Sequence, residues 1–297
     1  MRRRLVLFAT GLSLLVFPPS MDATAQSPAD EIRLIVRSDD MGAAHAINKA
    51  CLQSVIDGVA RSIEVIVPAP WFLEAAGMLR EHPDIDVGVH LDLTSEWSKV
   101  KWGPISKNVP SLVDANGHFY PTTRQRGDWP PNTGFLESEW QIVDVERELR
   151  RQIETALRHL PKVTHLSAHM GTATSTPELR ALVEHLAKEY QLPLNVPNLG
   201  RAGRFGGHHT TPAQKEAKMI EILDNLKPGL WMFIEHPGLD TQEMQAIGHA
   251  GYENVAADRA GVTHAFTSKK VMEVVRRRKI KLVSYSDVLA SDGRTPK

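Results

Sequence analysis

Short apolar, β-branched stretches alternate along the chain with longer stretches whose apolar residues recur every three to four positions. The first pattern predicts buried strands, and the second predicts amphipathic helices. The predicted strands span residues 32–38, 62–68, 85–93, 162–169, 192–197, 229–238 and 280–287. The predicted helices span residues 44–58, 71–83, 135–160, 176–190, 212–229 and 267–279.

Repeated strand–helix units of this kind are typical of a parallel sheet with helices on its outside. About seven such units fit a (β/α) barrel-like fold in a single domain, with an open doubly wound sheet as the alternative. No glycine-rich phosphate-binding turn follows the first strand, which counts against a nucleotide-binding open sheet. We therefore expect an α/β, barrel-like domain of about seven parallel strands with outer helices.

Two segments depart from the alternation. Residues 1–25 have the pattern of a signal peptide, with MRRR, the apolar run LVLFATGLSLLVF and an ATA cleavage site. The apolar run is short for a membrane span, so we expect cleavage, export to the periplasm or medium and no stable membrane insertion, with an uncleaved anchor as the alternative. Within the domain of residues 26–297, a long loop insertion around 94–134 is rich in Trp, Pro, Gly and Asn. Loops this long are usually functional.

The composition excludes some classes of partner and of metal site. The 297 residues carry 35 basic and 35 acidic side chains, so no basic surplus favours a nucleic-acid partner. The only cysteine, Cys51, allows neither an internal disulfide nor a cysteine-based zinc site. The 13 histidines and the carboxylates are therefore the candidate metal ligands. The oligomeric state stays open, with a homodimer as one option.

Acidic and imidazole side chains stand where the predicted strands end. These positions are Asp39 and Asp40 after the first strand, His90 at the third, His169 at the fourth, Glu235 and His236 at the penultimate, and Ser286 and Asp287 at the last. In a (β/α) barrel the carboxyl ends of the strands surround one mouth, where active sites lie. We therefore expect these side chains to converge.

The adjacent acids suggest a cation. Two carboxylates side by side in a poorly solvated place are costly unless a cation or a proton is shared between them. One carboxylate with two imidazoles is a common divalent-metal set that leaves positions open for water and substrate. We assign Asp40, His90 and His169 as ligands of one divalent ion, zinc or magnesium, and Asp39 as the general base. The alternatives are helix capping by the acids and core hydrogen bonds for the histidines.

Four stretches resemble one known family, the YdjC-like (ChbG/HpnK) carbohydrate deacetylases. They are RSDDMGAAHAIN, PDIDVGVHLDLTSEW, THLSAHMG and IEHPG. The resemblance covers nearly the whole mature chain and implies a (β/α) barrel-like fold and metal-dependent removal of acetyl groups from N-acetylated sugars. The family's metal triad falls on Asp40, His90 and His169, and its paired acid falls on Asp39. Many relatives carry a second histidine where this chain has Gly171, so the substrate pocket is expected to differ.

Other residues complete the predicted site. His236 is the candidate general acid because its unperturbed pKa is near neutral, and a turn-shaping role beside Pro237 is the alternative. The candidate substrate-binding residues are His45, Glu96, Trp97, Trp102 and Arg259. The two tryptophans are expected to stack on sugar rings, with local loop packing as the alternative. Arg259 is expected either to orient Asp39 or to contact substrate.

The sequence favours an exported metal-dependent carbohydrate deacetylase, a hydrolase of C–N bonds other than peptide bonds. Two other functions stay open. One is a different metallohydrolase on the same scaffold, acting on a phosphoester or another amide, because fold and ligands do not fix a substrate. The other is a periplasmic sugar-binding protein without turnover, against which the intact pair Asp39 and Asp40 argues.

Overall fold

A computed structural model describes residues 30–291, and the predicted signal peptide lies outside these residues. The strands are β1 (Ile32–Met41), β2 (Ser62–Val65), β3 (Asp86–Leu91), β4 (Val163–Ala168), β5 (Leu199–Arg201), β6 (Gly229–Glu235) and β7 (Lys281–Leu282). The helices are α1 (His45–Ile56), α2 (Phe72–Arg80), α3 (Ile142–His159), α4 (Pro177–Glu189), α5 (Pro212–Asn225), α6 (Gln242–Gln245), α7 (Val255–Phe266), α8 (Lys269–Arg277) and α9 (Tyr285–Ser291). No helix between residues 30 and 291 combines the length and the apolar composition that crossing a lipid bilayer requires.

All seven strands join one parallel sheet. Six of them follow the order β4-β3-β2-β1-β6-β5, and β7 pairs with the first half of β1. The sheet curls into a half-barrel with helices around it, which confirms the predicted barrel-like fold. Since every pairing is parallel, the carboxyl ends of the strands face the same way, as the convergence of the site requires.

β1 is the central strand and is buried from Leu34 to Met41. Strands of a parallel sheet are covered on both faces and therefore read as continuous apolar runs. β1 departs from that rule at Arg37, Asp39 and Asp40, each of which is less than 10% exposed. Buried charges of this kind must be paired with each other or with a ligand.

One predicted strand was wrong, and another was predicted too long. Residues 192–197 form no ladder and only contribute the Pro193 carbonyl, which accepts the backbone N–H of Leu166 at 3.0 Å; the strand lies at β5 instead. The last strand was predicted over residues 280–287, but only Lys281–Leu282 pairs. Ser286 and Asp287 therefore belong to α9 and not to a strand end. The Asp287 carboxylate accepts the backbone N–H of Ser284, which is a local turn contact.

Helices α3 and α7 also differ from the prediction. α3 begins at Ile142 and not at residue 135, because the backbone N–H of Phe135 donates to the Thr122 carbonyl of the loop insertion. α7 was not predicted at all. Most of its 12 residues are buried, so it has no polar face to reveal a helical period. This missed helix carries Arg259.

The loop insertion is packed against the domain. Short backbone pairings close it, including Ser95 N–H to the Tyr120 carbonyl at 2.9 Å and Phe119 N–H to the Trp102 carbonyl at 3.1 Å. Phe119 and Trp102 are buried. The insertion therefore forms a fixed wall beside the strand ends.

Candidate metal centre

The end of β1 brings two neighbouring acids to one place. Adjacent residues of a regular strand point to opposite faces. Here Asp40 has a left-handed backbone with φ +73°, and the pairing of β1 with β2 shifts between Ser38 and Met41. Such irregularities re-aim side chains at active sites. As a result, the Nε2 atom of His90 lies 3.6 Å from Asp39 Oδ2 and 3.7 Å from Asp40 Oδ1.

The three predicted ligands converge. One ligand atom from each of Asp40, His90 and His169 lies within 4.8 Å of the other two, and all three residues are buried. The Nδ1 atom of His169 is 3.2 Å from Asp40 Oδ1. That oxygen is buried and lacks a properly oriented hydrogen-bond donor. A buried carboxylate oxygen without a partner, facing two imidazole nitrogens, fits a divalent cation.

Each imidazole is held through its other nitrogen. The Nδ1 atom of His90 is 2.6 Å from the Ser167 hydroxyl, and the Nε2 atom of His169 is 3.1 Å from Glu96 Oε2. Metal-ligating histidines usually have such a partner, which fixes the orientation of the ring. Burial is the main reason that the pKa of His90 falls to about 4. A neutral imidazole is the form that binds a metal.

Arg259 holds Asp40, not Asp39. Its Nη2 atom donates to Asp40 Oδ2 at 2.8 Å. Burial would raise the pKa of Asp40, but His236, Arg259 and His169 together hold it well below its usual value. The expectation that Arg259 orients Asp39 was therefore wrong. The Nε and Nη1 atoms of Arg259 are buried and have no hydrogen-bond partner, while the residue itself lines the cavity beside the triad.

The residue that orients Asp39 is Arg37. Its Nε and Nη2 atoms donate to the two oxygens of Asp39, each at 2.7 Å. Sequence reasoning missed Arg37, although a signal was present. Residues two apart on a strand share a face, so a buried arginine two positions before a buried acid is a natural partner for it.

A cavity of about 420 Å³ opens beside the triad. Its lining includes the predicted residues Asp40, Glu96, Trp97, His169, His236 and Arg259. His236 is 42% exposed and lies near Glu235. Partial burial alone would lower the pKa of His236, but the Asp40 carboxylate and the Glu235 contact outweigh it and raise that pKa. The cavity therefore joins the metal centre to a titratable group on another strand end.

Two predicted substrate-binding residues lie elsewhere. His45 is not among the cavity-lining residues, and its Nδ1 atom lies 2.7 Å from Glu74 Oε1. Trp102 also lies away from the lining, where its Nε1–H donates to Asp92 at 2.6 Å. For Trp102, the contacts match local loop packing, the alternative to sugar stacking.

The aromatic wall of the cavity differs from the predicted one. Trp97 lines the cavity but is only 2% exposed, because His249 stacks on it at 5.8 Å and the Arg259 guanidinium lies 5.1 Å from its ring. Trp129, which was not predicted, lines the cavity and is partly exposed. Its position could not be inferred from the sequence, because it depends on how the insertion folds back onto His249.

Comparison with known proteins places the chain in a family. The model of the YdjC-like protein family matches residues 33–277. A carbohydrate deacetylase from Thermus thermophilus is 32% identical over 236 residues, covering 72% of this chain and 80% of that protein. One from Brevibacillus brevis is 26% identical over 276 residues, covering 86% of this chain and 100% of that protein. The crystal structure of a protein from Enterococcus faecalis V583 shares the fold, with a TM-score of 0.69 and 23% identity over 87% of this chain and 99% of that one. The chain therefore belongs to the YdjC-like family.

Proposed function

We propose that the protein is a metal-dependent carbohydrate deacetylase that hydrolyses the acetamide of an N-acetylated sugar. The observation that carries the proposal is the convergence of Asp40, His90 and His169 within 4.8 Å, with Asp39 beside them. The relatives from Thermus thermophilus and Brevibacillus brevis, both named carbohydrate deacetylases, support the same substrate class.

Asp40, His90 and His169 would hold the ion. When bound, a divalent ion polarises the acetyl carbonyl and lowers the pKa of a bound water. Carboxylate and imidazole donors suit zinc and magnesium, and we propose one ion of this kind. The ring partners Ser167 and Glu96 keep the two histidines turned towards Asp40.

Asp39 would act as the general base. It takes a proton from the attacking water while the water oxygen adds to the acetyl carbon. Its two oxygens are already bound by Arg37, so the carboxylate stays in place during the transfer. The lone-pair capacity of a carboxylate exceeds two hydrogen bonds, which leaves room for the water proton.

His236 would act as the general acid. The C–N bond breaks when the amine nitrogen receives a proton. His236 lies on the cavity wall, and its raised pKa keeps a larger fraction of its imidazole protonated near neutral pH. Arg259 lines the same cavity and would contact the substrate there. Glu96 and Trp97 would complete the wall.

We also propose export of the protein, for which the amino-terminal pattern of residues 1–25 is the support. Fractionation of cells that express the full chain, with amino-terminal sequencing of the product, tests this. A mature chain that begins at Gln26 in the exported fraction is expected.

The deciding assay compares two product measurements on one preparation. Acetate release from N-acetylglucosamine oligomers is expected, together with about one divalent ion per chain by metal analysis. Phosphate release from generic phosphoesters without acetate release would favour another metallohydrolase. Sugar binding without any turnover, unchanged in Asp39→Asn, would favour a binding protein.

A further inference from the structure

A chain of buried polar side chains lies beneath the metal centre. The His90 Nδ1 atom is 2.6 Å from Ser167 Oγ, and the Ser167 hydroxyl donates to Glu64 Oε2. The other oxygen of Glu64 lies 2.6 Å from His165 Nε2. Each of these side chains is less than 10% exposed. Glu64 and His165 do not belong to the catalytic set proposed above.

Gly88 of the neighbouring strand β3 leaves space for these hydrogen-bonded side chains. A Cβ atom at Gly88 of β3 would overlap Glu64 Oε2 and lie 2.5 Å from His165 Nε2. Any other residue at position 88 would therefore push these groups apart. Sequence reasoning passed over Glu64 because it lies inside the short apolar strand β2.

Glu64 is held as a carboxylate. Burial would raise its pKa, but His165 and Arg37 lower it well below the usual value, and Arg37 Nε lies 3.7 Å from Glu64 Oε1. A carboxylate only accepts hydrogen bonds. The single hydroxyl proton of Ser167 must therefore point to Glu64.

This direction fixes the proton on His90. A Ser167 oxygen that donates its only proton to Glu64 has only lone pairs to offer to His90. The Nδ1 atom of His90 must then carry the ring proton and donate it to Ser167. An imidazole that binds a metal is neutral, so a ring with its proton on Nδ1 has a free lone pair on Nε2, and this is the atom that faces Asp40 at 3.7 Å.

We propose that Glu64 and Ser167 are positioning residues that set the tautomer of His90 and so present its Nε2 lone pair to the metal. The statement that the Nε2 lone pair is presented to a metal rests on the proposed metal-dependent function, whereas the statement about the tautomer does not. The tautomer can be measured on the protein without any metal, so the tautomer proposal and the proposed function can fail separately.

The first experiment records the histidine ¹⁵N resonances of the purified full chain after dialysis against a chelator, with His90→Gln to assign the signal. We expect His90 as the Nδ1–H tautomer in the wild-type chain and as a mixture of both tautomers in Ser167→Ala. The Nε2–H tautomer in the wild-type chain would overturn the proposal.

The second experiment measures zinc affinity by chelator competition. Ser167→Ala should weaken zinc binding about 10- to 100-fold, the usual effect of losing the hydrogen-bond partner of a metal-ligating histidine. Ser167→Thr keeps a hydroxyl and should restore wild-type affinity and tautomer; Ser167 borders a cavity of about 400 Å³.

Ser62→Ala is the matched control. Its hydroxyl also donates to a buried carboxylate, Asp86 Oδ2 at 2.8 Å, but makes no hydrogen bond with His90 or Glu64. Its zinc affinity should stay within about twofold of wild type, against the 10- to 100-fold loss in Ser167→Ala. Equal losses in the two serine variants, or none in either, would contradict the proposal. The expected tautomer in a wild-type chain that binds neither zinc nor magnesium would uphold the positioning of His90 and count against the metal-dependent function.

Discussion

Arg37 and Asp39 form a two-pronged salt bridge inside the half-barrel, with the Nε–Oδ1 and Nη2–Oδ2 distances both 2.7 Å. A planar guanidinium fork matches a carboxylate and fixes its rotation as well as its position. Asp39 is therefore the acid that the protein holds rigidly, while Asp40 keeps one oxygen without a donor for the cation. The two neighbouring acids have different partners and, we infer, different tasks.

Asp39→Asn should keep the metal and lose rate. The amide cannot accept a proton from water, and general-base catalysis typically contributes about 10²- to 10⁴-fold, so kcat should fall by that order. Metal content should stay at the wild-type ratio because Asp39 is outside the triad. Asp128→Asn, on the exposed insertion, is the control for handling. A variant that turns over at the wild-type rate would remove Asp39 from the mechanism.

Arg37→Lys should lower kcat with the metal retained. Lysine keeps the charge but cannot bind both oxygens of Asp39 in a fixed plane, so the base is held less well. We expect a loss of about 10- to 100-fold, as for other residues that orient a catalytic group. Steady-state kinetics and metal analysis on the same sample give the answer. Unchanged kcat would mean that Asp39 needs no orientation.

His90→Ala and His169→Ala should each lose metal and activity together. Each variant removes one of three ligand atoms from a buried site. His185→Ala, whose side chain is 64% exposed on α4, serves as the control and should keep both. Retained metal and rate in either of the first two variants would count against the ligand assignment.

Substitutions of two tryptophans in the insertion should have different effects, one on the stability of the fold and the other on substrate binding. Trp102→Phe removes the donor to the buried Asp92 carboxylate and should lower the free energy of unfolding by about 1–3 kcal/mol with little change in KM. Trp129→Ala should raise KM for oligosaccharides about 2- to 12-fold, equivalent to about 0.5–1.5 kcal/mol of ring contact. Denaturant unfolding and steady-state kinetics on both variants test these two expectations. A raised KM in Trp102→Phe with an unchanged KM in Trp129→Ala would contradict the placement of Trp129, and not Trp102, in the cavity wall.

Cys51 should be unreactive in the folded chain. Burial raises the pKa of its thiol well above the usual value, so at pH 8 it stays protonated, and the thiolate is the reactive form. A thiol reagent should label it slowly in buffer and completely in denaturant. Rapid labelling of the native chain would show that α1 opens readily.

The triad could be predicted from the sequence because parallel strands deliver their carboxyl ends to one edge. That rule needs only the strands, and the strands before Asp40, His90 and His169 were recognisable from their apolar runs. The last predicted strand failed because IKLVSYSD contains enough β-branched and aromatic residues to resemble one, although only Lys281–Leu282 pairs in the sheet.

The rest of the site depends on contacts that periodicity does not encode. Arg259 reaches Asp40 from α7, a helix buried on most sides. Glu64 and His165 meet only because Gly88 leaves a gap between their strands. Trp102 and Trp129 belong to the same insertion, and only its folded path decides which of them lines the cavity.

The left-handed backbone at Asp40 also limits how this ligand can be replaced. Asparagine tolerates the same backbone region, whereas a residue such as alanine would add about 1–2 kcal/mol of local strain. Loss of function in an alanine-scanning experiment would therefore mix distortion of the turn with loss of the ligand. Asparagine at this position would give a cleaner inactive form for trapping a bound sugar in crystals, since the neighbouring base would keep its place.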